Sequence, residues 1–205
     1  MNAKRVFAIV PVKPLDEGKS RLATIMSPDV RRRLNAFLMN RTFDLVTKFP
    51  GAPQVIVVSS GEDVKAEAHA RGMITVQEDG RDLNTALASA TRTAIEHGAE
   101  AVFVLPVDLP LATSADLERI AEYDDGKPLC VVVSDRHRSG TNLLYVSPPR
   151  DDLYRFGPGS FRRHCLAASE RNFRVLQVDE EALSLDIDDP ADFERWGAAG
   201  GSFPE

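Results

Sequence analysis

The 205-residue sequence predicts an α/β fold, a three-layer α/β/α sandwich around a Rossmann-like, mostly parallel mixed sheet. Two observations carry that expectation. Short apolar β-type runs alternate with polar loops and stretches of helical spacing, a pattern that implies crossover connections and helices on both faces of a sheet. The run Ala101 to Leu111, AVFVLPVDLPL, is apolar without interruption over Val102 to Leu105, as a strand buried on both faces requires. It ends at a lone carboxylate, Asp108, held between Pro106 and Pro110. Open α/β sheets bind ligands beyond the carboxyl ends of their strands, so Asp108 is either a site residue or the cap of a helix starting near Thr113.

Composition narrows the function. At 43% hydrophobic and 27% charged, the chain suits one globular domain over residues 1–205. A net charge of −6 and a pI near 5.3 argue against a nucleic-acid binder, which needs a basic footprint. No run is long enough to span a bilayer. The start, MNAKRVFAIVPVK, lacks a small-residue cleavage site, so Val6 to Val12 reads as the first core strand and not as a signal peptide. Cys130 and Cys165 have no paired spacing, which points to a reducing cytoplasm.

After the first strand comes LDEGKSRLA. Gly18-Lys19-Ser20 looks like the end of a phosphate-binding P-loop, but Lys13 stands where that motif needs its first glycine. Lys13, Lys19 and Arg21 therefore either meet phosphates in a different loop geometry or form a solvated surface. Ser27-Pro28 is a cap and first turn for a helix carrying Leu34, Phe37, Leu38, Phe43, Leu45 and Val46. Pro50 to Pro53 breaks it, and Gln54 to Val58 is the second strand. A polar helix from Asp63 to Arg71, closed by Gly72, leads to a third strand at Ile74 to Val76. Gly80 and Asn84 fall in a loop, and Leu83, Leu87, Ala90 and Ile95 mark the apolar face of a helix ending at Gly98.

Beyond Asp108 the pattern gives a helix from Ser114 to Tyr123, a strand from Leu129 to Asp135, a basic bend and a strand from Asn142 to Val146. Gly157-Pro158-Gly159-Ser160 then feeds a helix in FRRHCLAASE, which is an anion site at a helix N-terminus or an ordinary turn and cap. Arg174 to Val178 is the last strand. In LDIDDP, Asp186 and Asp188 alternate with apolar residues, so both leave an extended segment on one face and repel unless a cation lies between them. One of Asp188 and Asp189 also suits the cap of a closing helix, Ala191 to Trp196.

In this order, VPVKPLDEGKSRLA, VLPVDLPL, SGTNLL, FGPGS with RRH, and LDIDDPADF resemble the guanylyltransferase family that activates a phosphorylated three-carbon acid with GTP in assembly of the deazaflavin coenzyme F420. The resemblance runs along almost the whole chain. It implies a small nucleotidyltransferase that uses Mg²⁺ on two acidic positions, here matched by Asp108 and by Asp188 with Asp186 beside it. It also implies that Thr141, Gly157 and Ser160, with Gly159 in the same loop, hold the acid. Lys13, Lys19 and Arg21 match the loop that meets the GTP triphosphate and, with Asp108, form the catalytic set, while Leu83 and Asn84 fall where the guanine base is faced. The doubled Asp188-Asp189, where a Thr commonly follows the Asp, leaves the second metal carboxylate open. The partners so implied are GTP and a small phosphorylated carboxylic acid, bound by a monomer or homodimer. Competing readings are a molybdopterin or sugar-phosphate nucleotidyltransferase, whose first loop usually carries a glycine pair absent from PVKPLDEGKSRLA, and a catalytically silent nucleotide-binding domain.

Overall fold

Strand β1 (Val6–Pro11) alternates strictly, with Val6, Ala8 and Val10 in one apolar layer and Phe7 and Ile9 in another. Both faces are covered, so the strand is buried through Val10. The computed structural model describes residues 4–49, 54–78 and 82–204; the expected break at Pro50 to Pro53 and the expected loop position of Gly80 lie outside the described residues. The further strands are β2 (Gln54–Ser59), β3 (Ile74–Gln77), β4 (Ala101–Val104), β5 (Leu129–Ser134), β6 (Thr141–Ser147) and β7 (Arg174–Val178). They form one sheet in the order β3-β2-β1-β4-β6-β5-β7. Every neighbouring pair is parallel except those of β6, which runs antiparallel to β4 and to β5.

Seven helices surround it among the described residues: α1 (Pro28–Thr47), α2 (Glu62–Ala70), α3 (Leu83–Glu96), α4 (Ser114–Glu122), α5 (Ser160–Ser169), α6 (Glu181–Ser184) and α7 (Pro190–Ala198). Met39 and Phe43 of α1, Val64 of α2, Leu117 of α4 and Leu183 of α6 fill the layer that holds Val10. Leu87 and Ala90 of α3 and Phe161 and Ala168 of α5 fill the layer that holds Phe7. The three-layer sandwich is therefore complete.

Local signals set the helix ends. Ser27 Oγ accepts from the Val30 N–H at 3.3 Å, and Thr113 forms a reciprocal capping box with Asp116, so the cap of α4 is Thr113 and not Asp108. Two expectations need correction. Asn84 lies in the first turn of α3, because the Asp82 carboxylate accepts from Asn84 N and Thr85 N and starts the helix early. Ile95 is 46% exposed, one position past the buried stripe formed by Leu87, Ala90, Thr91 and Ala94. The sequence pattern also passed over a 3₁₀ turn at Ser20–Thr24 and the single-turn α6.

A third cluster, separate from the two sheet layers, joins Leu22, Leu34, Leu38, Ile187 and Trp196. Trp196 is 3% exposed and packs edge-on against Phe193 with ring centroids 5.6 Å apart. Trp196→Ala is expected to cost about 3 kcal/mol or more in urea denaturation, the usual cost of emptying a large aromatic site. A loss below about 1 kcal/mol would show that this cluster does not hold the two loops it touches.

Candidate active site

The ends of β1 and β4 and the beginning of β6 meet at one end of the central strands, because β6 is reversed and Val104 pairs with Leu144. Asp108 sits in the turn after β4, where its carbonyl accepts from the Ile187 N–H at 3.0 Å. Ile187 is fully buried against Leu22, Leu34 and Trp196. Its two flanking carboxylates consequently leave on the other side. Oxygens of Asp108, Asp186 and Asp188 come within 4.8 Å of one another.

Lys19 faces this cluster from the first loop. It adopts a left-handed conformation, φ 58°, at the start of the 3₁₀ turn, and Leu22 anchors that turn in the third cluster. Its Nζ lies 3.1 Å from Asp108 Oδ2 and 3.5 Å from Asp188 Oδ1, with only 8% of the side chain exposed. Burial lowers the affinity of this ammonium for its proton, but Asp108 and Asp188 outweigh it and the pKa is raised. Arg21 reaches Asp188 at 3.7 Å on the solvent side.

Asp186 is held away from the ordinary carboxylate range. Burial, then the neighbouring Asp108 and Asp188, push its pKa up to about 6. Asn142 Nδ2 donates to the Leu183 carbonyl at 3.0 Å and to Asp186 Oδ1 at 3.4 Å, which holds the carboxylate in place. Because the folded pKa lies above the ordinary 3.8, the folded state binds the Asp186 proton more tightly than the unfolded chain does. Its ionisation thus costs stability increasingly from about pH 4 to 6 and fully above that. In chelator, Asp186→Asn is expected to raise unfolding free energy by about 1–2 kcal/mol at pH 7.5, after allowance for solvent screening, and to add little at pH 4. Equal effects at both pH values in urea titrations would rule this out.

Asp189 takes the other job open to LDIDD. Its Oδ1 accepts from Asp192 N at 3.0 Å, and Asp192 Oδ2 accepts in return from the N–H groups of Asp188 and Asp189, both at 3.1 Å. This capping box starts α7 and leaves Asp188 turned toward Asp108 and Lys19. Asp189→Ala should cost about 1 kcal/mol of stability yet leave steady-state turnover within about threefold. A hundredfold loss of turnover would place Asp189, and not its neighbour, in the reacting set.

Two recesses open beside the carboxylates. One of about 270 Å³ is lined by Pro11, Val12, Glu78, Leu83 and Asp108. A smaller polar one of about 220 Å³ is lined by Lys13, Glu17, Arg21 and Asp188. Lys13 and Lys19 border both. Gly18 is needed for another reason than phosphate approach: a Cβ there would come within 2.6 Å of the Asn35 carboxamide, itself fixed by donating to the Leu15 carbonyl at 2.7 Å.

On the far side of Asn142, the Thr141 and Ser160 hydroxyls lie 3.2 Å apart, both buried. Gly157 and Gly159 precede α5 at φ 115° and 69°, values that favour glycine. Asn84 spends its carboxamide on this loop: Oδ1 accepts from Phe156 N at 2.6 Å and Nδ2 donates to Phe156 O at 3.2 Å. Of the two residues grouped for the base, Leu83 lines the larger recess and Asn84 straps the adjoining loop. Asn142, Glu78 and His164 escaped the sequence reading. Asn142 directly follows Thr141 in SGTNLL, and His164 closes the RRH stretch.

A parallel sheet with one reversed strand, three carboxylates at its ligand edge and a lysine and arginine facing them define a nucleotidyltransferase of the α/β sandwich class. A protein from Desulfovibrio desulfuricans described as a nucleotide-diphospho-sugar transferase has the same fold, with a TM-score of 0.75 at 15% identity over 93% of this chain and 85% of its own. The model of the family described as "Guanylyl transferase CofC like" matches residues 6–196. The chain belongs to that family. It is 39% identical over 196 residues to the phosphoenolpyruvate guanylyltransferase of Rubrobacter xylanophilus, covering 96% of this chain and 95% of the relative. To the 2-phospho-L-lactate guanylyltransferase of Methanothermobacter thermautotrophicus it is 34% identical, covering 92% of this chain and 82% of the relative.

Proposed function

We propose that this protein transfers GMP from GTP to the phosphate of a small three-carbon acid, releasing pyrophosphate, as a step of coenzyme F420 assembly in the cytoplasm. The observation that carries the proposal is the meeting of Asp108, Asp186, Asp188 and Lys19 beside the two recesses. The acid named for the relative at 39% identity, phosphoenolpyruvate, is the first to try, with 2-phospho-L-lactate and 3-phosphoglycerate beside it.

A substrate phosphate oxygen attacks the α-phosphorus of GTP and the bond to pyrophosphate breaks. A phosphate monoester has a second pKa near ~6 and is largely dianionic at neutral pH, so the protein need not supply a base. Placement and charge neutralisation remain as its task. Leu83 and the apolar wall of the larger recess take the guanosine, and Lys13, Lys19 and Arg21 in the smaller one stabilise the departing pyrophosphate. Thr141, Ser160 and the Gly157 and Gly159 backbone hold the acid, with Asn84 fixing their loop.

Three carboxylates around one point, already drawing an ammonium among them, fit a hard oxygen-seeking cation. Mg²⁺ held by Asp108, Asp186 and Asp188 would supply positive charge to the phosphoryl oxygens that approach there. Incubation with GTP, Mg²⁺ and each acid separately should release pyrophosphate with one acid or more and with GTP preferred to CTP or UTP. No release with any of the three acids would reject the activity.

A further inference from the structure

Behind the Thr141–Ser160 pair lies a histidine that the reaction above leaves unused. His164 on α5 is 1% exposed, and its ring meets Phe156 edge-on with centroids 4.7 Å apart. Its Nε2 lies 2.8 Å from the main-chain nitrogen of Arg155. A backbone N–H can only donate, so Nε2 is the acceptor and the proton of the neutral ring is on Nδ1. Burial, reinforced by Arg163 and Arg155, pushes the His164 pKa down to about 3, so the ring is neutral throughout the working range.

The direction of the next bond follows. His164 Nδ1 lies 2.9 Å from Thr141 Oγ1. Since Nδ1 carries the proton, it donates and Thr141 accepts. Ser160 Oγ donates to the same Thr141 oxygen at 3.2 Å. Both lone pairs of that hydroxyl are then used, and what Thr141 has left to offer is its own proton.

We propose that His164 is a positioning residue that fixes the Thr141 hydroxyl as a hydrogen-bond donor toward the anionic acid, through an Nδ1–H whose place is set by the Arg155 backbone. The assignment rests on the reading of Thr141 as an acid contact. A hydroxyl left to rotate would present a lone pair to the substrate in part of its orientations. Carboxylate and phosphate oxygens can only accept, so a donor of fixed polarity suits them and forms the stronger, charge-assisted kind of bond. The same polarity rejects analogues that bring an N–H to that position, because no acceptor is left for them.

Two amide variants divide the ring's roles. In His164→Asn the side-chain nitrogen falls near the place of Nδ1 and preserves the donor to Thr141. In His164→Gln the amide falls near the place of Nε2, which preserves the Arg155 contact and removes that donor. KM for the acid and for GTP, kcat and the melting temperature are measured for each. His164→Gln is expected to raise acid KM about tenfold with GTP KM within about twofold, and His164→Asn to keep acid KM within about threefold. In a Thr141→Val background, the Gln substitution should add nothing further to acid KM.

Equal acid KM for the wild type and the Gln variant would overturn the assignment. So would acid and GTP KM rising together in both variants in step with lost melting temperature. Independently of turnover or of variant folding, nitrogen-15 and carbon-13 shifts of His164 in the wild-type protein at pH 7 should show the Nδ1–H tautomer. The Nε2–H tautomer would refute the relay. Nδ1–H together with no turnover of any acid would place the failure in the proposed activity, and the role of Thr141 as an acid contact would fall with it.

Discussion

Asp108→Asn is expected to reduce pyrophosphate release by roughly a thousandfold or more, about 4 kcal/mol of transition-state stabilisation, while the melting temperature stays within a few degrees of wild type. The substitution keeps the side chain's size. It also spares the Asp108 carbonyl that accepts from Ile187 N and joins the turn after β4 to the segment bearing Asp186 and Asp188. What changes is charge. One of three clustered carboxylates becomes neutral, and its new amide hydrogens can face the Lys19 ammonium, donor against donor, where a 3.1 Å ion pair had been. Asp186 simultaneously loses the like charge that, after burial, does most to raise its pKa, and that pKa should fall toward the ordinary range. A folded variant with near-normal turnover would sink the assignment of Asp108.

Lys19→Met should lower kcat/KM for GTP by about a hundredfold or more, and its second signature lies in stability. In wild type the ammonium holds Asp108 and Asp188 apart from mutual repulsion, with most of its own surface withdrawn from water. Removing it leaves carboxylates facing one another, which in chelator should cost about 1–2 kcal/mol, less than for a fully buried pair because Asp188 is half exposed. Addition of Mg²⁺ should restore more stability to the variant than to wild type, since the cation then takes over the neutralisation. Calorimetric melts with and without Mg²⁺ test this directly. An identical Mg²⁺ increment in both proteins would show that Lys19 and the cation do not share one place.

The strands were legible because burial on two faces leaves an unbroken apolar record. Arg174–Val178 appears in the sequence with the bounds it has in the sheet. The reversal of β6 leaves its signal in a short connection: residues 135–140, six in all, are too few for the crossover that a parallel neighbour of β5 would need. Alternation along LDIDD makes Asp186 and Asp188 legible as a pair on one side, while their grouping with Asp108 follows only from the resemblance to the family. The choice between Asp188 and Asp189 was not, because the cap of α7 depends on Asp192 returning a bond to the N–H groups before it. Asn84 and His164 show the harder limit. Their partners are main-chain groups of Phe156 and Arg155 brought to them by the fold, and the Phe156 contact spans 72 positions of chain.

The reversal of β6 bears on distance as well as direction. Asp108 follows the end of β4 and Thr141 opens β6, so the span between these two residues, one on each side of the proposed reaction, is ruled by how the two strands are aligned, Val102 to Val146 through Val104 to Leu144. A slip of one residue would move Thr141 by about 3.3 Å relative to the end of β4 and turn it to the opposite face. For the proposed transfer, the geometry of attack would thereby be set by main-chain bonds between β4 and β6. Those central amides belong among the slowest to exchange with deuterium.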